Sequence, residues 1–378
     1  MSVSRARRAA AAALVLGACI QVHAHDDEAA AAARIPQRVA LLMRAQSELE
    51  HGDANPALDD FERAAMMLHA ADAELGLIRS AMQDGQYRRA LAFCAHTAGE
   101  HTDSPEGAAL YAWLLRIGGQ SAQSDKVRAE LRAQAPDGAL VMAVESALAT
   151  PEPVASGLLL ASANRMAPWP VARDGQAAPP STARFGGNAV LAGDGRSALI
   201  PAASLAKLGA SRLWVRNGLG QATEASVDPD DAMLAARGLA RLRLRASLPV
   251  GASRESWARA PFAGSPGYAL QFGAGSAPAW PLLAQGFLGS VVGDTDLRKL
   301  GFAAAAGAPV LDAKGVLIGI TLGTTGTQAT WVPLSAVAAP AAASAATTTA
   351  PNGMALVAPD EVYEAGLRRA LQVLVAAP

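Results

Sequence analysis

Several things are scarce in this 378-residue chain, and each scarcity excludes a class of function. Charge of one sign is missing: 32 Lys+Arg stand against 33 Asp+Glu, so no strong field exists to gather nucleic acid or an acidic membrane surface. Aromatics make up only 4 %, which argues against a large aromatic ligand box. Cysteine occurs twice, at Cys19 and Cys94, and if the leader carrying Cys19 is removed no internal disulfide can form. Cys94 then reads as a small buried apolar residue. After the N-terminal leader no apolar run is long enough to span a bilayer. Histidine is confined to positions 23, 25, 51, 69, 96 and 101, so everything beyond residue 101 lacks an imidazole. No phosphate loop, dinucleotide fingerprint or haem-attachment motif appears, and no cofactor is implied.

The chain opens with a basic Arg5, Arg7, Arg8 cluster, a short apolar run over 9–20 and a small-residue "VHA" at 22–24. This pattern predicts a secretory signal peptide over 1–24, a flexible start over 25–35, and a protein that leaves the cytoplasm for the periplasm or another extracytoplasmic space. A second reading stays open: "LGAC" at 16–19 is similar to a lipobox, in which Cys19 would carry a lipid anchor to the outer membrane.

Residues 36–150 are mostly helix formers, and they repeat. "GDANPALDDFERA" from Gly52, "GQYRRALAFCAHT" from Gly85 and "GQSAQSDKVRAEL" from Gly119 follow one another at intervals of 33 and 34 residues. Ala57 and Ala90 supply small contacts, Phe61 an aromatic in a second helix, and Pro136 a closing proline. The pattern resembles the tetratricopeptide repeat, in three degenerate copies with a capping helix at 140–149. The resemblance implies an antiparallel α-solenoid whose first helices line a concave groove for a protein or peptide partner, with Arg79, Trp113 and Arg116 facing it.

Residues 151–183 lose the helical period and gain prolines, which predicts a linker. From 184 to 338 short apolar runs are cut by Gly, Asp and Asn, and several alternate with period two, as in "LARLRLR". Closely spaced strands without helices between them predict an all-β barrel or sandwich. Three stretches, "PAASL" at 201–205, "GLARLRL" at 238–244 and "AAAGAPVLDAKGVLIGI" at 304–320, come in the order and spacing of the general-base, aspartate and nucleophile motifs of trypsin-like proteases of the HtrA type. The resemblance implies a double barrel, and the whole chain is expected to be a multidomain α + β protein. The catalytic places are not filled: Ser204 stands for histidine, Gly238 for aspartate, Ala306 for serine, and Ala304 where the family has the oxyanion-loop glycine. A methyl group cannot attack a carbonyl, and a serine hydroxyl cannot serve as a base near neutral pH. Lys207, Lys299 and Lys314 offer no convincing serine–lysine pair.

The expected function is therefore that of a pseudoprotease, not an enzyme, serving as a protein-binding scaffold or assembly factor in the cell envelope. Two alternatives stand beside it: a serine-type endopeptidase with a non-standard site, and a chaperone that holds peptides without cutting them. The partner and the oligomeric state are not readable from sequence. "CAHTAGEH" places His96 and Glu100 four residues apart, with Cys94 and His101 nearby, but no second ligand pair is evident and no metal site is expected. A low-complexity tether over 339–353 leads to a terminal segment, 354–378, read as a helix with Tyr363, Leu367, Ala370, Leu371 and Leu374 on one face.

Overall fold

The computed structural model describes residues 34–376, apart from 174–177, 210–211, 229–230, 252–254, 256–260, 276, 326–327 and 338–355. The leader with Cys19 and the tether over 339–353 lie outside the described residues. No helix among the described residues is long and apolar enough to cross a membrane.

The N-terminal half is built of antiparallel helices: α1 over 34–51, α2 (Ala54–Met67), α3 (Ala71–Asp84), α4 (Tyr87–Glu100), α5 (Pro105–Ile117), α6 (Ser121–Gln134) and α7 (Ala139–Leu148). The three repeating glycines explain the pairing. Gly52, Gly85 and Gly119 end α1, α3 and α5 with φ of 87°, 85° and 81°. Each donates its N–H three residues back, to Leu49, Met82 and Arg116, and the following N–H reaches five back, to Glu48, Ala81 and Leu115. This double bond pattern closes a helix end through a left-handed residue, which glycine adopts without a Cβ penalty. The sequence period is the period of this turn.

The C-terminal half contains two closed antiparallel barrels of six strands each, the trypsin-like double barrel. The second is made of β7 (Pro266–Gln271), β8 (Leu282–Val291), β9 (Arg298–Leu300), β10 (Pro309–Asp312), β11 (Leu317–Thr325) and β12 (Gln328–Pro333). Its strands neighbour one another in the cycle β7-β8-β9-β12-β11-β10. The first contains β2 (Arg184–Leu191), β3 (Ser197–Pro201), β4 (Arg212–Asn217), β5 (Gln221–Asp228) and β6 (Leu239–Leu244). Its sixth strand is β13 (Ala370–Ala376), the end of the chain. The cycle is β13-β2-β3-β6-β5-β4, closed by the β13–β4 and β5–β6 pairings. The two cycles have the same order only when β13 is put in first place. The first barrel is therefore permuted, with its opening strand supplied from the C-terminus. A two-residue strand, β1 (Val171–Ala172), adds in parallel to β5.

Two expectations are corrected here. The segment 354–378 is not one helix: α9 (Pro359–Gly366) is helical, but Ala370–Ala376 is a strand, so the barrel unit does not end at 338. Every residue of β13 is buried, and a strand buried on both faces carries no period-two alternation to distinguish it from an apolar helix. Nor does 151–170 act as a spacer. It is a strap with short 3₁₀ turns at Gly157–Leu160 and Ser162–Asn164, pressed between helices and barrels, and it buries Ala155, Leu159, Met166, Ala167 and Trp169. The two halves share one apolar core that includes Ile78, Trp113, Leu159, Trp169, Leu270 and Tyr363. At their seam the rings of Tyr87 and Tyr363 lie 4.3 Å apart, and the Tyr363 hydroxyl donates to Pro281 O at 2.8 Å.

Candidate functional site

Ser204, Gly238 and Ala306, the three expected triad positions, lie near the seam between the barrels. Ser204 lies on the short helix α8 (Ala202–Ala206) that follows β3 and is half-buried. Its Cβ faces Gly187 of β2, at 4.0 Å from where a Cβ of that glycine would stand. The next residue, Asn188, touches Gly307 through its backbone and accepts from Phe272 N–H at 2.7 Å through Oδ1. Ala306 faces Gly323, and Gly238, at φ 72°, faces Leu322 of the same strand. Ala304 is buried in the core of the second barrel with Leu288, Leu300 and Val310.

The loop that would carry a nucleophile is fixed by structural bonds. Ala305 N–H donates to Gln271 Oε1 at 2.6 Å, and Ala308 N–H donates to Thr321 Oγ1 at 2.8 Å. The Thr321 hydroxyl donates back to Ala305 O, and Gly307 N–H donates to Thr321 O at 2.8 Å. Gly307 has φ 87°, and a Cβ there would stand 1.9 Å from Asn188 O. Gly307→Ala is therefore expected to destabilise the protein by about 2–5 kcal/mol, from a strained left-handed residue and an overpacked inter-barrel contact. The urea midpoint measures this, and an unchanged midpoint would contradict the tight contact.

Two of the three expected groove residues are not presented to solvent. Arg79 is 5 % exposed and Trp113 2 %. The Arg79 guanidinium donates to Ala163 O at 2.7 Å and Arg165 O at 3.3 Å, both in the strap. Beside it the Gln83 amide donates to Leu219 O at 2.7 Å and accepts from Trp169 N–H at 2.9 Å. Arg165 in turn donates to Leu160 O, Ala167 O and Pro168 O, which folds the strap on itself. Burial lowers the pKa of Arg79 to about 10, still well above neutral pH. Arg116 is half-buried at the edge, 3.5 Å from Thr150 O. The concave face is thus occupied by the chain's own strap, and Arg79 and Trp113 cannot line an open partner groove.

Sequence reasoning missed a different cluster. His69 in the α2–α3 connection, Glu74 in the first turn of α3, and His96 and His101 at the end of α4 converge. The partners of the "CAHTAGEH" histidines come from 22 and 27 residues upstream of His96. The signal available was the Gly85 turn of the repeat, which folds α4 back on α3 and sets the end of α4 beside the start of α3. Cys94 takes no part: it is fully buried, and burial pushes its thiol pKa up.

No family model matches the chain, and no curated protein matches it in sequence. Among solved structures, the apo MamO protease domain from Magnetospirillum magneticum is similar over 41 % of this chain and 87 % of its own, at 18 % identity and a TM-score of 0.31. The HtrA-type protease AlgW with a decapeptide is similar over 40 % of this chain and 49 % of its own, at 21 % identity and a TM-score of 0.32. This chain thus spans about half the length of AlgW. At these scores the likenesses add no weight, and the fold rests on the closed barrels described above.

Proposed function

We propose that this chain is an exported pseudoprotease that works by binding another protein, as a scaffold or assembly factor in the cell envelope. The observation that supports this most is chemical: Ala306 stands where a nucleophile would be, and no histidine follows residue 101. The rigid loop around Gly307 fits a barrel kept for its shape. Because the strap fills the concave face, the partner surface is better sought on the outer side of the first helix pair. There Met43 and Met66 are 69 % and 80 % exposed, and Ile35 and Val39 extend the apolar strip along α1. A hollow of about 410 Å³ between α1 and α2 is lined by Leu41, Met66 and Met67, with Arg44 and Arg63 at its rim. Flexible, polarisable methionine side chains suit an adaptable protein contact.

Two measurements test the reading. Neither the natural chain nor Ala306→Ser is expected to cleave casein or generic peptides above background, because a restored hydroxyl still has no base to take its proton. Turnover by either would overturn the claim of lost chemistry. Crosslinking in the intact envelope, with Met43→Lys/Met66→Lys as control, tests the binding half. A partner lost with the double variant supports it, and a partner retained moves the surface elsewhere.

A further inference from the structure

The cluster around Glu74 carries a second assignment, independent of the barrels. Glu74 is 4 % exposed, and its carboxylate is surrounded by three imidazoles. His69 Nε2 stands 2.6 Å from Oε1, and His96 Nε2 stands 3.5 Å from the same oxygen. His101 Nε2 stands 3.4 Å from Oε2, which also accepts from the Thr97 hydroxyl at 2.7 Å. The ring nitrogens of His69 and His96 face each other at 3.3 Å.

This is more than one carboxylate needs. Thr97 and His69 already satisfy Glu74. His101 Nε2 is buried and makes no hydrogen bond among the described residues, although it points at the carboxylate. A buried ring nitrogen without a partner is costly in a purely structural cluster. His69 and His96 present two Nε2 atoms to each other and to one oxygen, an arrangement in which at least one contact is donor to donor or lone pair to lone pair. A cation resolves all of these at once, because every Nε2 can then present its lone pair.

We propose that His69, Glu74 and His101, with His96 as the adjoining fourth donor, bind a divalent transition-metal ion, zinc foremost. The ligand atoms of His69, Glu74 and His101 lie within 4.8 Å of one another. A tetrahedral ion about 2.0–2.1 Å from its nitrogen ligands holds them about 3.3–3.4 Å apart, close to the His69–His96 separation seen here. Imidazole and carboxylate together suit zinc and its borderline neighbours rather than calcium or magnesium, which take oxygen ligands. The side chains of His69 and His96 are 58 % and 48 % exposed and provide an entry path, while Glu74 and His101 form the buried floor. The ion would tie the α2–α3 connection to the end of α4, clipping the first repeat to the second. A metal bound only by the folded chain stabilises it by mass action.

The test is equilibrium dialysis of the full mature chain against Zn²⁺, with Co²⁺ as a spectroscopic probe. The expected result is one Zn²⁺ per chain with a Kd below about 1 µM, intense visible bands from four-coordinate Co²⁺, and a Tm raised by roughly 5 °C at saturating Zn²⁺. His69→Gln, His101→Gln and Glu74→Gln should each weaken binding at least about tenfold, and His51→Gln, outside the cluster, should not. His69 lies exposed on a connection, so His69→Gln decides the matter even if Glu74→Gln fails to fold. Absence of binding, or binding that His69→Gln and His101→Gln leave unchanged, would overturn the assignment; in the latter case the ion would be sitting elsewhere, for example at His25.

Discussion

A chain ended at Arg369, lacking β13, is expected not to form the first barrel at all. β13 is an interior strand in the cycle: its Leu371–Val375 stretch pairs with β2 on one side and β4 on the other. Removing it opens two inner edges whose N–H and C=O groups then have no ladder. It also removes Leu371, Val373, Leu374 and Val375, all buried, at roughly 1.5–3 kcal/mol each, or about 6–12 kcal/mol together. That is comparable to the whole stability of a typical domain, about 5–15 kcal/mol. Polar bonds go with the strand as well. The Arg216 guanidinium donates to Gln372 Oε1 at 2.6 Å, and the Gln372 amide donates to Gly275 O, joining the first barrel to the loop after β7. The measurement is thermal unfolding and gel filtration of the truncated chain, then repeated with a peptide of residues 356–378 added in trans. Aggregation or loss of a cooperative transition, with rescue by the peptide, is the expected outcome, since an added strand can complete an open sheet. A truncated chain that stays monomeric and unfolds cooperatively at an unchanged Tm would show that β13 is not the missing first strand.

The permuted strand also shows where sequence reading stops. The helical repeats were legible because Gly52, Gly85 and Gly119 mark a turn whose geometry only a left-handed residue can meet. The barrels were legible because "LARLRLR" alternates and because Gly307, the Asp312–Gly315 turn and the strand after it keep a recognisable order. "ALQVLVA" was not, because burial on both faces erases the alternation, and the preceding Val362 and Tyr363 do sit on the buried side of a helix. The strap escaped for a related reason: its prolines and lost period identify a non-helical segment but do not tell whether it spans solvent or fills a groove. Gln83 and Arg79, which hold it, read as ordinary polar residues of a helix. The histidine cluster depends on the antiparallel pairing of α3 with α4 across the Gly85 turn, so its members are adjacent only in space.

Arg79→Ala is expected to loosen the strap and to cost about 2–6 kcal/mol, from two buried carbonyls left without a donor at about 1–3 kcal/mol each. The helices extend the Arg79 guanidinium into the strap, where Nε and one terminal nitrogen donate to the carbonyls of Arg165 and Ala163. Truncation leaves those carbonyls without this donor and leaves a space where the side chain packed. Arg79→Lys keeps the charge but not the planar fork, so it should fall between the two. The readouts are the urea midpoint and limited trypsin digestion. Arg165 is 8 % exposed in the intact chain, so cleavage after it reports detachment of the strap, and the variant should be cut at least about tenfold faster. An unchanged midpoint and digestion pattern would mean that Trp169 and the Gln83 bonds hold the strap alone. If cleavage rises while the barrels keep their unfolding transition, strap and barrels are energetically separable, and a concave face closed in the native chain becomes reachable by an external peptide. Peptide binding by Arg79→Ala but not by the natural chain would then identify the strap as an internal occupant of a groove built for an extended segment.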